Sequence, residues 1–386
     1  MSTENKSCAP RLRFPGFTGD WKERLLGDSF EERNEKNRGD LPLLSLGEAG
    51  LVYQSETARK DNSNEDKSKY LRVAIGDIAY NTMRMWQGRC VCAGIEGIVS
   101  PAYTVCKPKE GIDPLFHFYL FKTNRMNQIF HQNSQGLVKD TLNLKFEAFA
   151  KIKYLVPSLA EQKKIAECLF EIDSLIVAQS ENIDALKAKK TGLLQQLFPQ
   201  DGETIPQLRF QGFDGEWVEK GFDELCCPIT PPLKLQSNEY LKEGKYPIVD
   251  QSQSFICGWT NDDRGLVEDV PVIIFGDHTC VLKYINFPFI QGADGVKILS
   301  PKEGYDSRFI YQAFLANPVK PDGYKRHFSD FKEKKYLIPT SIAEQMKIAE
   351  CLSSLDDQIT SESAKLEALK DHKKGLMQQL FPQPAR

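Results

Sequence analysis

The chain has 386 residues, 41% of them hydrophobic, and a net charge of −3. That is enough for two or three domains with cores of their own, and the near-neutral balance excludes a global basic field, so any DNA contact needs local patches. The opening MSTENKSCAPR has no apolar run suited to a signal peptide, and nothing later approaches 18 uninterrupted apolar residues, so no membrane span is expected. Ten scattered cysteines fit a reduced, cytoplasmic protein, and five histidines without ligand spacing predict no metal site.

In chain order, residues 11–26 read RLRFPGFTGDWKERLL. The short runs LRVAIGDIAYN, GIVSPAYTV and AKIKYLVP follow, rich in β-branched and aromatic residues between turn formers, and predict strands. Residues 113–130 have helical spacing and lead into a polar loop at 131–143. Residues 158–200 form a long helix. Ser158 and Glu161 have capping-box spacing at its start, and Pro199 ends it.

The order then repeats. LRFQGFDGEWVEKGF begins at Leu208 and matches the first segment at Arg13/Arg209, Phe14/Phe210, Gly16/Gly212 and Trp21/Trp217. The runs YPIVD, VPVIIFGD, VLKYINFPFI and GVKILSP predict strands, 306–316 a helix and 317–328 a polar loop. YLIPT then introduces a second long helix ending at Pro382. From Ala160 and Ala343 onward the two helices are identical at 24 of 41 positions. The offset between copies falls from 196 at the heads to 183 at the helices, so the second head is 13 residues shorter. The expected domains are therefore 1–157, 158–200, 201–340 and 341–386, in a mixed α/β (α+β) fold with a pseudo-twofold internal repeat.

Apolar residues step by four and three along both helices, which predicts an antiparallel coiled coil of roughly 50 Å. Gln179 and Lys190, and at the matching places Glu362 and Lys373, interrupt the seam. Setting Lys190 opposite Glu362 and Gln179 opposite Lys373 fixes a register in which paired numbers sum to 552. It also sets Ile183 against Leu369, so cysteines at those two positions should cross-link.

Three fragments imitate catalytic motifs. FPGFTG and FQGFDG resemble glycine-rich cofactor loops but recur as repeat boundaries ahead of a tryptophan, which favours packing. The tetrapeptides beginning at Asp113 and Asn317 lack the second proline of an amino-methyltransferase motif. Asp322, Glu333 and Lys335 spell a nuclease signature of two carboxylates and a lysine around magnesium. An autonomous metal-dependent nuclease, or a coiled-coil scaffold that does not read DNA, is thus the alternative function.

Two divergent heads, each followed by a near-identical helix introduced by P-S/T-x-A-E-Q and ending QQLFP, resemble the specificity subunit of type I restriction–modification systems. The resemblance implies two target recognition domains, each reading half of a split, asymmetric DNA target, with the paired helices setting the spacing. It implies docking of two modification subunits and of restriction subunits, and no catalytic site in this chain. S-adenosylmethionine, ATP and magnesium would belong to those partners. Loop position nominates Arg84, Gln87, Gln135 and Lys139 as DNA-contacting residues in the first head. In the second it nominates Gln251, Gln253, His278, Lys283, Lys325 and Arg326.

Overall fold

A computed structural model describes residues 9–47, 50–57, 64–136, 142–231, 233–323 and 325–382. The chain divides into two compact units, residues 1–179 with 365–386, and residues 180–364. Each contains one head and parts of both long helices.

In unit one the elements are β1 (Lys22–Leu25), α1 (Leu26–Ser29), β2 (Phe30–Glu32), β3 (Leu44–Leu46), β4 (Leu51–Tyr53), β5 (Leu71–Val73), β6 (Ile78–Asn81), β7 (Cys90–Cys92), β8 (Gly97–Val99) and β9 (Tyr103–Pro108). Then come α2 (Pro114–Phe121), α3 (Asn124–Asn133), α4 (Phe146–Ala150), β10 (Lys153–Val156) and the long helix α5 (Leu159–Leu197). The span 113–130, read as one helix, is two. Thr123 caps the second by accepting the Met126 N–H at 3.3 Å. The main sheet runs β2-β9-β6-β7, all antiparallel, with β3-β4 and β5-β8 as separate pairs.

Unit two holds β11 (Val218–Gly221), α6 (Phe222–Leu225), β12 (Cys226–Ile229), β13 (Tyr246–Val249), β14 (Gly258–Thr260), β15 (Leu266–Val267), β16 (Val272–Gly276), β17 (Leu282–Ile285), β18 (Phe289–Gln291) and β19 (Val296–Pro301). After these come α7 (Ser307–Ala316), α8 (Phe328–Glu333), β20 (Lys335–Ile338) and α9 (Ile342–Gln379). The sheet β12-β19-β16-β17 repeats the main sheet of unit one strand for strand. The second layer does not repeat: β14-β13-β18-β15 is a four-stranded sheet with a parallel β13–β18 pair. The repeat is thus a common frame with a different insert.

Each head is bound to the helices by the same parts. The β1–β10 hairpin-like pair and its counterpart β11–β20 lead directly into α5 and α9. Trp21, Phe30, Phe116, Phe121 and Phe149 bury against Ile165 and Leu169 of α5 and against Leu380 and Phe381 at the end of α9. Trp217, Phe222, Phe309, Phe314 and Phe331 do likewise with Ile348 and Leu352 of α9 and with Leu197 and Phe198. The start of one helix therefore packs with the end of the other, the antiparallel arrangement.

Lys190 Nζ lies 2.7 Å from Asp356, and Lys373 pairs with Asp173. The expectation opposed only residues interrupting the seam. It overlooked Asp173 and Asp356 on the seam's flank, which a lysine reaches with its long stem.

The capping boxes form only in part. Ser158 and Ser341 accept the N–H groups of Glu161 and Glu344 at 3.4 Å. The carboxylates do not turn back to the caps. Glu161 instead takes the Arg13 guanidinium at 2.7 and 2.8 Å, and Glu344 takes Arg209 at 2.8 and 2.9 Å.

Candidate nucleic-acid interface

In both heads the connection after the third strand of the main sheet meets the loop that precedes the short helix. In unit one this connection is 82–89. Its Met85 is fully buried and anchors a 3-10 turn at Met85–Gln87, closed by Gly88 at φ 70°. With Met85 pointing inward, Arg84 and Gln87 stand exposed on either side. The Trp86 ring meets His131 of α3 edge-on at 5.6 Å, which joins the turn to α3. Gln135 and Asn143 exchange both backbone hydrogen bonds, at 2.9 and 2.8 Å, and so close the loop between them. Lys139 lies in that loop, outside the described residues. The Leu144 N–H donates to Thr82 O at 2.9 Å and ties loop to turn.

Unit two makes the same tie with different residues. The His327 N–H donates to Asp277 O at 2.8 Å, and the Phe328 N–H to the Asp277 carboxylate at 2.9 Å. Next to Asp277, the His278 N–H donates to Gln251 Oε1 at 3.2 Å, and its ring Nδ1 reaches Lys325 O at 3.2 Å. Because a carbonyl only accepts, that nitrogen carries the proton. Gln251 also donates to Asp294 O at 3.0 Å. Gln251, His278 and Lys325 therefore converge at one place, with Arg326 exposed beside them. The Lys325 ammonium sits between Asp322 at 3.5 Å and Asp330 at 3.3 Å, and this hydrogen-bonded neighbour holds the Asp330 carboxyl below its usual range. Gln253 is exposed in the segment after β13.

Lys283 departs from its expected place. It lies within β17, only 4% exposed, and its ammonium donates to Asp250 O at 2.7 Å and Ser254 O at 2.6 Å. Burial lowers its pKa. It clamps the segment that carries Gln251 and Gln253. The alternation of β17 puts its side chain inward, a face that spacing alone left undecided. Sequence reasoning also missed Asp277 and Trp86, which position the others. The abrupt end of the apolar run VPVIIFG at Asp277 was the available signal.

The nuclease triad is not assembled as a cation site. Asp322 is exposed and paired with Lys325, Glu333 closes α8, and Lys335 opens β20. Among the described residues no group of three or more His, Cys, Asp or Glu side chains is placed to hold a metal ion. The glycine-rich fragments are turns that present arginine to the helices. Arg13 also donates to the carbonyls of Thr18 and Gly19, and Arg209 to those of Asp214 and Gly215.

A rigid frame that holds amide, imidazole and guanidinium groups at two adjoining loops can read base edges in a groove and fix phosphates. Residues 19–188 match the family model for the type I restriction modification DNA specificity domain. A putative type I restriction enzyme MjaX specificity subunit of Methanocaldococcus jannaschii is 25% identical, covering 94% of this chain and 93% of that one. The MjaVIII specificity subunit of the same organism is 22% identical, over 94% and 92%. The crystal structure of a type I restriction–modification S subunit from M. genitalium shares the fold, with a TM-score of 0.65 at 15% identity over 98% of this chain and all of that one. Residues 19–188 thus carry a type I restriction modification DNA specificity domain, and along nearly its whole length the chain is similar to type I restriction enzyme specificity subunits.

Proposed function

We propose that each unit reads one half of a split DNA target for a type I restriction–modification complex, and that the two halves differ. One observation carries this reading. The main sheets agree strand for strand, and in both the connection after the third strand is tied to the loop before the short helix, while the side chains on those loops and the second layers differ. A common frame gives both heads the same stance toward a duplex, and unlike loops give them unlike preferences.

The paired helices hold the two half-sites at a fixed separation, on the order of one DNA turn. They also dock two modification subunits, with which restriction subunits associate. S-adenosylmethionine belongs to the modification subunits, and ATP and magnesium to the restriction subunits, so this chain contributes recognition and no chemistry. The complex works in the cytoplasm. Among the described residues no helix is long and apolar enough to cross a membrane.

Co-expression with the modification subunit and mapping of methylated adenines tests the reading. The expected product is a split motif with two unlike halves and a constant gap. Absence of any motif, together with magnesium-dependent cleavage by the isolated chain, would return the function to a nuclease.

A further inference from the structure

The two heads differ in one further way. In unit one Leu120, Thr123, Tyr154, Leu155 and Pro382 line, together with Arg125, Met126 and Ile129 of α3, a space of only about 20 Å³. Arg125 also donates to Pro382 O at 3.3 Å. The matching wall in unit two is Ala313, Ala316, Tyr336, Leu337 and Pro199, and it opens onto a cleft of about 940 Å³.

The cause is in the chain. The offset between copies is 193 at the helix caps Asp113 and Asp306 and 183 at the long helices, a loss of ten residues, and α3 is ten residues long. Unit two passes from α7 straight into residues 317–327, with no counterpart of α3 among the described residues. Small side chains, Ala313 and Ala316, stand where unit one has Leu120 and Thr123. The exposed Asp201, Glu219, Lys320 and Lys335 edge the cleft.

We propose that this cleft receives a helix presented by a modification subunit, seated as α3 is in unit one. Two apolar residues one turn apart cover Ala313 and Ala316, and a cation reaches the Pro199 carbonyl and the Asp201 and Glu219 carboxylates. The inference rests on the proposed docking of modification subunits and adds an asymmetry to it. Unit one fills its own cleft, so only one of two docked subunits inserts a helix, and the two copies bind unequally.

Calorimetric titration of the full-length chain with purified modification subunit tests this, using wild type and Ala316→Trp, whose indole takes the place of the inserted side chains at that wall. Wild type should show two steps of unequal affinity. Ala316→Trp should weaken one step at least tenfold and leave the other, with its melting temperature unchanged. Removing the two carboxylates that would meet the cation with Asp201→Lys and Glu219→Lys should weaken the same step at least threefold, and decides the matter if the tryptophan variant does not fold. Variants that titrate as wild type would overturn the inference. So would normal docking with weakened DNA binding by the assembled complex, which would assign the cleft to nucleic acid. A wild-type chain that takes up no modification subunit overturns the docking reading itself, and this inference with it.

Discussion

Arg13 and Arg209 show how a single residue ties a repeat together. Glu161 and Glu344 keep only 2% of their side-chain surface exposed, and each takes a bidentate guanidinium from the segment that opens its head. One residue on, Gln162 and Gln345 accept the backbone N–H of Asp113 and Asp306 at 2.9 Å, joining α2 and α7 to the long helices. The repeated A-E-Q block is thus an anchor for the head at one position and for its helix at the next. A buried carboxylate that loses its partner is costly. Arg13→Ala should therefore destabilise unit one by about 3 kcal/mol in denaturant unfolding, and adding Glu161→Gln should recover part of that loss. If Arg13→Ala unfolds as wild type, the anchor is not structural.

His117 offers a second test at this scale. It is fully buried, its Nδ1 donates to Asp113 O at 2.7 Å, and its Nε2 accepts from the Tyr154 hydroxyl at 3.0 Å, which Ser29 meets at 2.6 Å. Burial lowers its pKa from 6.5 to about 4. Between those values the unfolded chain binds a proton that the folded chain does not, so stability falls as the pH drops through this window. The slope from this group is at most about 1.4 kcal/mol per pH unit. His117→Gln should remove it. Equal slopes for wild type and variant would show that the imidazole is not held neutral.

Among the elements, the long helices were the most legible and the ion-pair partners of Lys190 and Lys373 the least. A heptad seam with serine at one end and proline at the other left little freedom in where α5 and α9 begin and stop. Register depends on flanking side chains and on what the helix ends pack into, and neither is written in the seam. Asp356 takes Lys190 and also the Gln312 amide at 3.0 Å, while Asp173 takes Lys373 and the Tyr119 hydroxyl at 2.8 Å. Each ion pair thus joins three elements of its own unit. Lys190→Asp should cost about 1 kcal/mol, the scale of a partly exposed pair, and pairing it with Asp356→Lys should restore most of it. No recovery in the double variant would mean that the ion pair does not set the alignment. Of the main-sheet strands, β6, β9, β16, β17 and β19 were also legible from their β-branched runs, whereas β2, β7 and β12 were not. The second layers were not, because which short strand pairs with which depends on residues far apart in sequence.

Across the whole molecule, duplication of a common frame with divergent heads explains why loop positions could be nominated from the sequence while their arrangement could not. Arg84, Gln87 and Gln135 stand on adjoining segments of unit one, and Gln251, His278 and Lys325 meet in unit two. Lys283 turned inward because strand alternation placed it there. The loss of α3 from unit two was visible only as a change of offset, and its meaning came from the cleft it left.

The most direct measurement compares methylation maps for complexes built with wild type and with Gln253→Ala/Arg326→Ala. Both residues are exposed in the head of unit two and neither contributes to its core. Wild type should methylate a split motif with unlike halves. The variant should relax one half, by about 1–3 kcal/mol of discrimination for each base-reading side chain removed, and keep the other half and the gap unchanged. Relaxation of both halves together, or of neither, would contradict a division of reading between two independent heads.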